Sequence, residues 1–358
     1  MNSKHYDFLY DLLHTPSPSG MEADIQKKWL QYVKPHAQSL HTDGAGNASA
    51  VYHPDAALRV AVAGHCDEIG FMVKAIDNNG FIHVEKVGGI NHKPAIGMKV
   101  TILGTHGRLT GVFGTNAEHH GGAKDDFSFS DLFIDCGATS KEEVEAFIAA
   151  GDTAVYKREP EGLLNNRISG RGLDNRTGAF ITAEAFRRLE NRLQPDVGMH
   201  AVSTVNEETN MGGAYFAGAG IAPDLAIAVD VTFATDYPGS VSEKTTDVKL
   251  GGGPVLAKGA PINQKANDLL EQAAKAAGIP VQYELTPRST GTDADQLRKT
   301  ARGVPVALVS LPLRYMHAPV ETVSLDDIEQ AIELLVSFFT RLKGNENLKP
   351  VSLDDLKD

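Results

Sequence analysis

Val202-Ser203-Thr204-Val205-Asn206-Glu207-Glu208 reads as a strand that rises out of a core and ends in two adjacent carboxylates. Consecutive residues of an extended chain point to opposite sides. One glutamate can therefore bind something while its neighbour stands close by and moves protons. Two carboxylates this close are costly unless a cation or a shared proton compensates. Groups that would complete a site lie elsewhere in the chain. His65 and Asp67, two apart at the end of the apolar run Leu58–Gly64, share a face, which suits a metal-binding imidazole with an orienting carboxylate beside it. Asp174 sits in Gly172-Leu173-Asp174-Asn175-Arg176-Thr177-Gly178, just before a helix, where an aspartate also serves as an ordinary cap. Asp230 closes the apolar run Ala226-Ile227-Ala228-Val229, and a carboxylate there needs a partner. His317 follows Leu311-Pro312-Leu313-Arg314-Tyr315-Met316.

Taken singly, each of these has a plain reading as a surface histidine, a helix cap or a solvated loop end. Together, two histidines and three carboxylates at strand ends and loop edges make a mixed nitrogen and oxygen donor set. Such a set suits zinc, cobalt or manganese and not a thiolate structural site. One bridging carboxylate with two ligands on each side would hold two ions ~3.5–4 Å apart. The chain has no His-Glu-x-x-His, no Gly-x-Ser-x-Gly, no P-loop, and no Gly-x-Gly-x-x-Gly after a strand.

The elements that must position these groups follow from periodicity. Phe8, Leu9, Leu12 and Leu13, then Ile25, Trp29, Leu30 and Val33, mark two amphipathic helices. From about Phe71 to Val155 short strand-like runs alternate with glycine turns, and Ser140-Lys141-Glu142-Glu143 is a capping box that opens a helix to about Ala149. We place this β-rich insertion at residues 70–160, within a catalytic α/β part formed by 1–69 and 161–358. From Gly172 onward helices and strands alternate. Thr177–Leu189, Asn263–Ala277 and Leu325–Leu342 read as helices, and Gly198–Asn206, Leu225–Asp230, Val281–Leu285 and Pro305–Ser310 as strands. The alternation predicts an α/β sheet covered by helices on both faces, with the site at its carboxyl edge. The charged tail after Gly344 is expected to be loosely held.

Hydrophobic residues are 42% of the 358 and charged residues 22%, as in soluble globular proteins. A net charge of −12 offers no basic footprint, so no nucleic-acid partner is expected. Cys66 and Cys136 are the only cysteines and form no Cys-x-x-Cys, which suits a reducing cytosol. No apolar run approaches the roughly 18 residues of a membrane span, and Met1–Asp7 has no apolar signal region. The expectation is a cytoplasmic protein without a membrane partner.

Gly64-His65-Cys66-Asp67-Glu68-Ile69-Gly70-Phe71-Met72-Val73, Leu173-Asp174-Asn175-Arg176-Thr177-Gly178, Asn206-Glu207-Glu208 and Met316-His317-Ala318-Pro319-Val320-Glu321 resemble the M42 family of dinuclear metallo-aminopeptidases. This glutamyl and leucyl aminopeptidase group includes the tetrahedral TET assemblies, and some members carry the name endoglucanase M. The resemblance runs from Thr15-Pro16-Ser17-Pro18-Ser19-Gly20 to the closing helix. It implies a zinc-peptidase-like fold, with a central mixed sheet under helices and a small inserted β-rich domain that forms dimers. It further implies that His65, Asp174 and Asp230 bind one metal ion, and Asp174, Glu208 and His317 the other. Asp174 would bridge, Asp67 would orient His65, Glu207 would be the general base, and the Asp174–Asn175 peptide would be cis. The activity implied is removal of N-terminal residues from short peptides, with two divalent ions per subunit, zinc first and cobalt or manganese as alternatives. The assembly implied is a homo-oligomer built on dimers, up to a tetrahedral dodecamer.

Two rivals were weighed. An M20-type metallo-carboxypeptidase or deacylase has similar ligands, but its extra domain follows the Asp230-like ligand, whereas here the insertion lies between Asp67 and Asp174. A non-catalytic scaffold of the same fold would have lost ligands or the base, and all are present. An ordinary glycosidase needs a free carboxylate pair that this set does not leave. Departures from the family pattern are Thr209-Asn210-Met211-Gly212-Gly213, where a Val-Gly-Leu-Arg-Gly-like run is usual, and Thr290, where glycine is common. They leave pocket shape and side-chain preference open. Lys258 and Arg288 are candidates for a basic pocket but read more simply as surface cations. His119-His120 reads as a solvated loop tip, and Asp293 in Gly291-Thr292-Asp293-Ala294 as a helix cap. A module of about 90 residues buries only a modest core, so the insertion is expected to turn apolar surface toward another subunit without being needed by the ligands.

Overall fold

The computed structural model describes residues 6–123, 126–240 and 246–352. Helices α1 (Asp7–His14) and α2 (Ala23–Val33) come first, with Leu9, Leu12, Leu13, Ile25, Trp29 and Val33 buried at helical spacing. Strands β1 (Ser39–Thr42), β2 (Ala48–Tyr52) and β3 (Leu58–His65) follow. The next strands are β4 (Gly70–Ile76), β5 (Ile82–Val87), β6 (Lys99–Gly104), β7 (Gly107–Phe113), β8 (Phe133–Asp135) and, after the short helix α3 (Lys141–Glu145), β9 (Thr153–Tyr156). The Ser140 side chain accepts from Glu143 N at the start of α3, as its capping box predicts, although the helix stops at Glu145. A hairpin of β10 (Glu161–Leu163) and β11 (Arg167–Gly170) leads to α4 (Leu173–Arg188) and β12 (Val197–Thr204). The remainder runs α5 (Glu207–Asn210), α6 (Gly212–Ile221), β13 (Leu225–Phe233), β14 (Val255–Lys258), α7 (Gln264–Ala277), β15 (Gln282–Leu285), α8 (Ala294–Leu297), β16 (Val306–Leu313), β17 (Glu321–Ser324) and α9 (Leu325–Arg341).

The main sheet has eight strands in the order β1-β2-β12-β3-β13-β16-β14-β15. Its centre, β12, β3, β13 and β16, is parallel, and β2 and β14 pair with it antiparallel, so the sheet is mixed as expected. Parity along the central strands decides what each face carries. Val60, Val62, Ile227 and Val229 join the large core under α1, α2, α4, α7 and α9. Ala61, Ala63, Ala226 and Ala228 face the other way, against Ala214 and Ala217 of α6 and Ala294 and Leu297 of α8. Bulky residues fill the space under the long helices, and alanines let the short ones come close. His65 and Asp230 continue the alanine parity, which brings both to the α6–α8 face. Gly64 fits between them and α4 because a Cβ there would stand 2.5 Å from the backbone of Gly178.

Residues 70–156 form a closed barrel, β4-β5-β8-β7-β6-β9, around a core that includes Phe71, Ile82, Val100, Phe113, Ile134 and Tyr156. Phe71 lies 4.8 Å from the Phe113 ring and 5.3 Å from the Tyr156 ring. Closure leaves no free strand edge. A small sheet β10-β11-β17, not foreseen from the sequence, ties the hairpin after the barrel to the strand before α9. The tail departs from expectation. As far as Ser352 it is docked, with Leu348 buried and its carbonyl accepting from Asn263 Nδ2 at 2.8 Å; residues 353–358 lie outside the described part.

Candidate active site

His65 ends β3 with its Nδ1 toward Asp67, 3.2 Å from the backbone carbonyl and 3.3 Å from Oδ1. That leaves Nε2 facing a carboxylate cluster: Asp174 Oδ1 at 3.3 Å, Glu207 Oε2 at 3.6 Å and Asp230 Oδ1 at 3.8 Å. His317 is held in the same manner. Its Nδ1 is 2.9 Å from the Gly89 carbonyl, and its Nε2 is 3.3 Å from both Asp174 Oδ2 and Glu208 Oε2. Asp174 therefore offers one oxygen to each histidine. The donor atoms of His65, Asp174 and Asp230 all lie within 4.8 Å of one another, and so do those of Asp174, Glu208 and His317.

The glutamate pair is not the end of an extended strand. Strand β12 stops at Thr204, Asn206 takes a left-handed conformation at φ 57°, and Glu207 and Glu208 open α5. On a helical turn adjacent side chains part by about 100° instead of alternating. Glu207 reaches toward His65 and Glu208 toward His317. The reason for the turn is Asp67, whose Oδ1 accepts from Glu207 N at 3.1 Å and whose Oδ2 accepts from Glu208 N at 3.2 Å and Ser19 Oγ at 2.6 Å. Asp67 thus orients the histidine and both glutamates. Asp230 is likewise not a strand end, because β13 continues to Phe233 and pairs Asp230 with Ser310 of β16. Asp174 stands in a non-helical break at the start of α4, and the Asp174–Asn175 peptide is cis, as the resemblance implied.

Sequence reasoning missed three buried carboxylates, Glu321, Asp293 and Glu68, and a half-buried one, Glu284. Glu321 was within a quoted motif, but its partners are backbone amides, which no spacing reveals: Oε2 accepts from Asp174 N at 3.1 Å and Oε1 from His317 N at 2.9 Å. Asp293 makes no side-chain cap for α8 and instead accepts from Thr204 Oγ1 at 2.5 Å. Glu68 pairs with Arg171 Nη1 at 2.5 Å and with Arg176, and accepts from Ser17 N at 3.1 Å. Glu284 on β15 accepts from Thr232 Oγ1 at 2.5 Å and Ser310 Oγ at 2.7 Å. The Gly-x-Asp context of Asp293 and the apolar surroundings of Glu284 were the available signals.

Crowded acids dominate the electrostatics. Burial, helped by the charges of Asp230, Asp293 and Glu208, pushes Glu207 up to about 10. Burial and Asp174 raise Glu208 to about 7, and burial and Asp174 raise Asp230 well above the carboxylate range. Burial would lower His317, but Asp174 and Glu208 carry it up to about 11; Glu207, Asp174 and Asp67 likewise raise His65 against its burial. Burial also opposes the Asp174 charge, but hydrogen bonds from His317 and His65 outweigh it and hold this acid low. Glu208 Oε1 is buried without a hydrogen-bond partner. A mixed imidazole and carboxylate set with surplus negative charge and an orphaned oxygen fits divalent cations.

The cluster opens into a cleft also lined by Thr209, Asn210, Met211, Thr290 and Glu284. Four of the positions that depart from the family pattern, Thr209, Asn210, Met211 and Thr290, are therefore cleft positions. Lys258 and Arg288 are not: Lys258 pairs with Glu271 at 2.9 Å over the Tyr283 ring, and Arg288 is exposed outside. The His119-His120 turn is exposed.

A helix-covered mixed sheet with such a cluster at the carboxyl ends of its parallel strands suits a hydrolase, and the family it matches makes that a hydrolase of peptide bonds. The chain belongs to the M42 glutamyl aminopeptidase family, which it matches over residues 46–334. It is 34% identical over 337 residues to a putative aminopeptidase of Acetivibrio thermocellus, covering 92% of this chain and 97% of that protein. An aminopeptidase structure from the archaeon Desulfurococcus kamchatkensis superposes with a TM-score of 0.91 at 31% identity, covering 98% of this chain and 99% of that one. The Pyrococcus horikoshii TET1 peptidase, which can assemble into a tetrahedron or a large octahedral shell, gives 0.83 at 29% identity, covering 94% and 100%.

Proposed function

We propose that this chain is a dinuclear metal-dependent aminopeptidase acting on short peptides as a homo-oligomer. The observation that carries the reading is Asp174, with one oxygen at each of two histidines and a further carboxylate, Asp230 or Glu208, completing each set. His65, Asp174 and Asp230 would hold one ion, and Asp174, Glu208 and His317 the other, with zinc the first candidate and cobalt or manganese the alternatives. Bound there, two divalent ions supply a water of lowered pKa and a polarised scissile carbonyl. Glu207 lies beside His65 yet belongs to neither donor set, so it takes the proton of the attacking water and delivers it to the leaving amine. Asp67, through the two α5 amides, keeps Glu207 and Glu208 in these separate roles.

Exhaustive chelation should abolish aminopeptidase turnover, and added zinc, cobalt or manganese should restore it. Unchanged turnover in protein shown by elemental analysis to be metal-free sinks the assignment.

A further inference from the structure

Among the described residues, Glu284 is the one carboxylate lining the cleft that belongs neither to the two donor sets nor to the proton shuttle. Its place is set by the sheet. Asp230 pairs with Ser310 across β13 and β16, Val255 pairs with Ser310 and with Gln282, and Ala257 pairs with Glu284. Parity then puts Asp230, Ser310 and Glu284 on one face. Thr232, two residues beyond Asp230 on that face, donates to one Glu284 oxygen, and Ser310, directly beside Asp230, donates to the other. Each oxygen keeps acceptor capacity after these bonds. Among the described residues no lysine or arginine lines the cleft to neutralise it. Apolar Val231, Leu308 and Met316 lie along the same cleft.

We propose that Glu284 is a specificity-determining residue that selects peptides with lysine or arginine at the N-terminus. The inference rests on the aminopeptidase reading and adds the substrate class. With the scissile bond at the donor sets, the side chain of the N-terminal residue is directed along β13 toward Thr232 and Glu284. The step from Asp230 to Thr232 is about 6.6 Å along a strand, a reach that a lysine or arginine stem makes and a leucine does not. The stem packs on the apolar lining while its charged head meets Glu284. An acidic N-terminal residue would bring a second carboxylate to this half-buried one with no cation between them, and is rejected.

The test uses the metal-loaded protein and lysyl, arginyl, leucyl and glutamyl p-nitroanilides. Lysyl and arginyl substrates should show the highest kcat/KM, with the glutamyl substrate lowest. In Glu284→Gln the lysyl-to-leucyl ratio should collapse by roughly tenfold or more, chiefly through KM, with metal content unchanged by elemental analysis. Product inhibition reads the same pocket on unmutated protein, and L-lysine should inhibit at lower concentration than L-leucine or L-glutamate. A wild-type preference for leucyl or glutamyl substrates, a ratio that survives Glu284→Gln, or equal inhibition by the three amino acids overturns the inference and leaves the aminopeptidase reading standing. Hydrolysis of none of the substrates overturns both.

Discussion

The carboxylate of Asp67 meets His65 Nδ1 on one side and the amides of Glu207 and Glu208 on the other, so the directions in which the adjacent glutamates point are set by backbone geometry and not by their sequence order alone. Glu207→Gln should retain metal and lose on the order of 10²–10⁴ in turnover, the span of general acid–base catalysis. Glu208→Gln should instead lower metal occupancy. Metal analysis beside kinetics decides it, and the reverse pattern would exchange the two roles. A second carboxylate one residue on does structural work. Glu68 is buried, yet the charges of Arg171 and Arg176 overcome the opposing effect of burial and depress its pKa from 4.5 to about 2. Its folded pKa lies below its unfolded one, so its stabilising contribution is complete above pH 4.5 and is lost as pH falls toward 2. Glu68→Gln leaves two buried guanidinium groups short of their counter-charge, at a cost of about 3–5 kcal/mol at pH 7. The gap in denaturant-unfolding free energy between wild type and Glu68→Gln should narrow between pH 4.5 and pH 3; a gap independent of pH would show that the ion pair is not its source.

Elements place these residues by parity and by close backbone approach. Strand β3 delivers His65, and β13 delivers Asp230, on the alanine face, so both were legible once Leu58–Gly64 and Ala226–Val229 were read as strands. The α5 turn was not, because it depends on a left-handed Asn206 and on a side chain, Asp67, that is distant in sequence. Sheet β10-β11-β17 was hidden for a related reason. Glu161–Leu163 is exposed throughout and has no apolar alternation, and β17, which completes the sheet by pairing with β11, lies far along the chain. The barrel's strands were readable from their apolar runs, but its closure through β4–β9, β5–β8 and β6–β9 is long-range pairing that no local pattern encodes. The two donor sets draw none of their ligands from this segment, yet the turn after β5 supplies the Gly89 carbonyl that orients His317. A Cβ on Gly89 would stand 2.8 Å from His317 Nδ1. Gly89→Ala should therefore displace the ring, weaken binding of one of the two ions and reduce turnover, with little change in unfolding midpoint. Titration calorimetry that still shows two undisturbed sites in this variant would refute that link.

At the scale of the molecule, the question is what the barrel is for. It was expected to turn apolar surface outward because so small a module buries little, yet the closed barrel has a continuous core of its own. Association would use what remains outside that core. Met72, Val112 and Phe147 of the barrel segment are exposed, and the hairpin that follows presents Leu163 and Leu164, the latter 87% exposed. Tyr215 and Phe216 on α6 are exposed as well. A single exposed apolar residue means little, whereas several large ones that form a contiguous patch mark an interaction surface. The Pyrococcus horikoshii relative assembles into closed shells on a closely similar chain fold. We expect this chain to form a homo-oligomer that uses the barrel and its hairpin, with a dimer as the minimal unit and a dodecamer as the full one. Light scattering coupled to size exclusion, at micromolar concentration with metal present, measures this directly. A mass near the 38.3 kDa of one chain defeats the idea, and a dimer-sized mass keeps the surface but rejects the cage. Leu164→Glu should lower the measured mass while leaving the fold intact by circular dichroism, because the residue is 87% exposed in the single chain. An unchanged mass in that variant would move the interface elsewhere and release the barrel from this role.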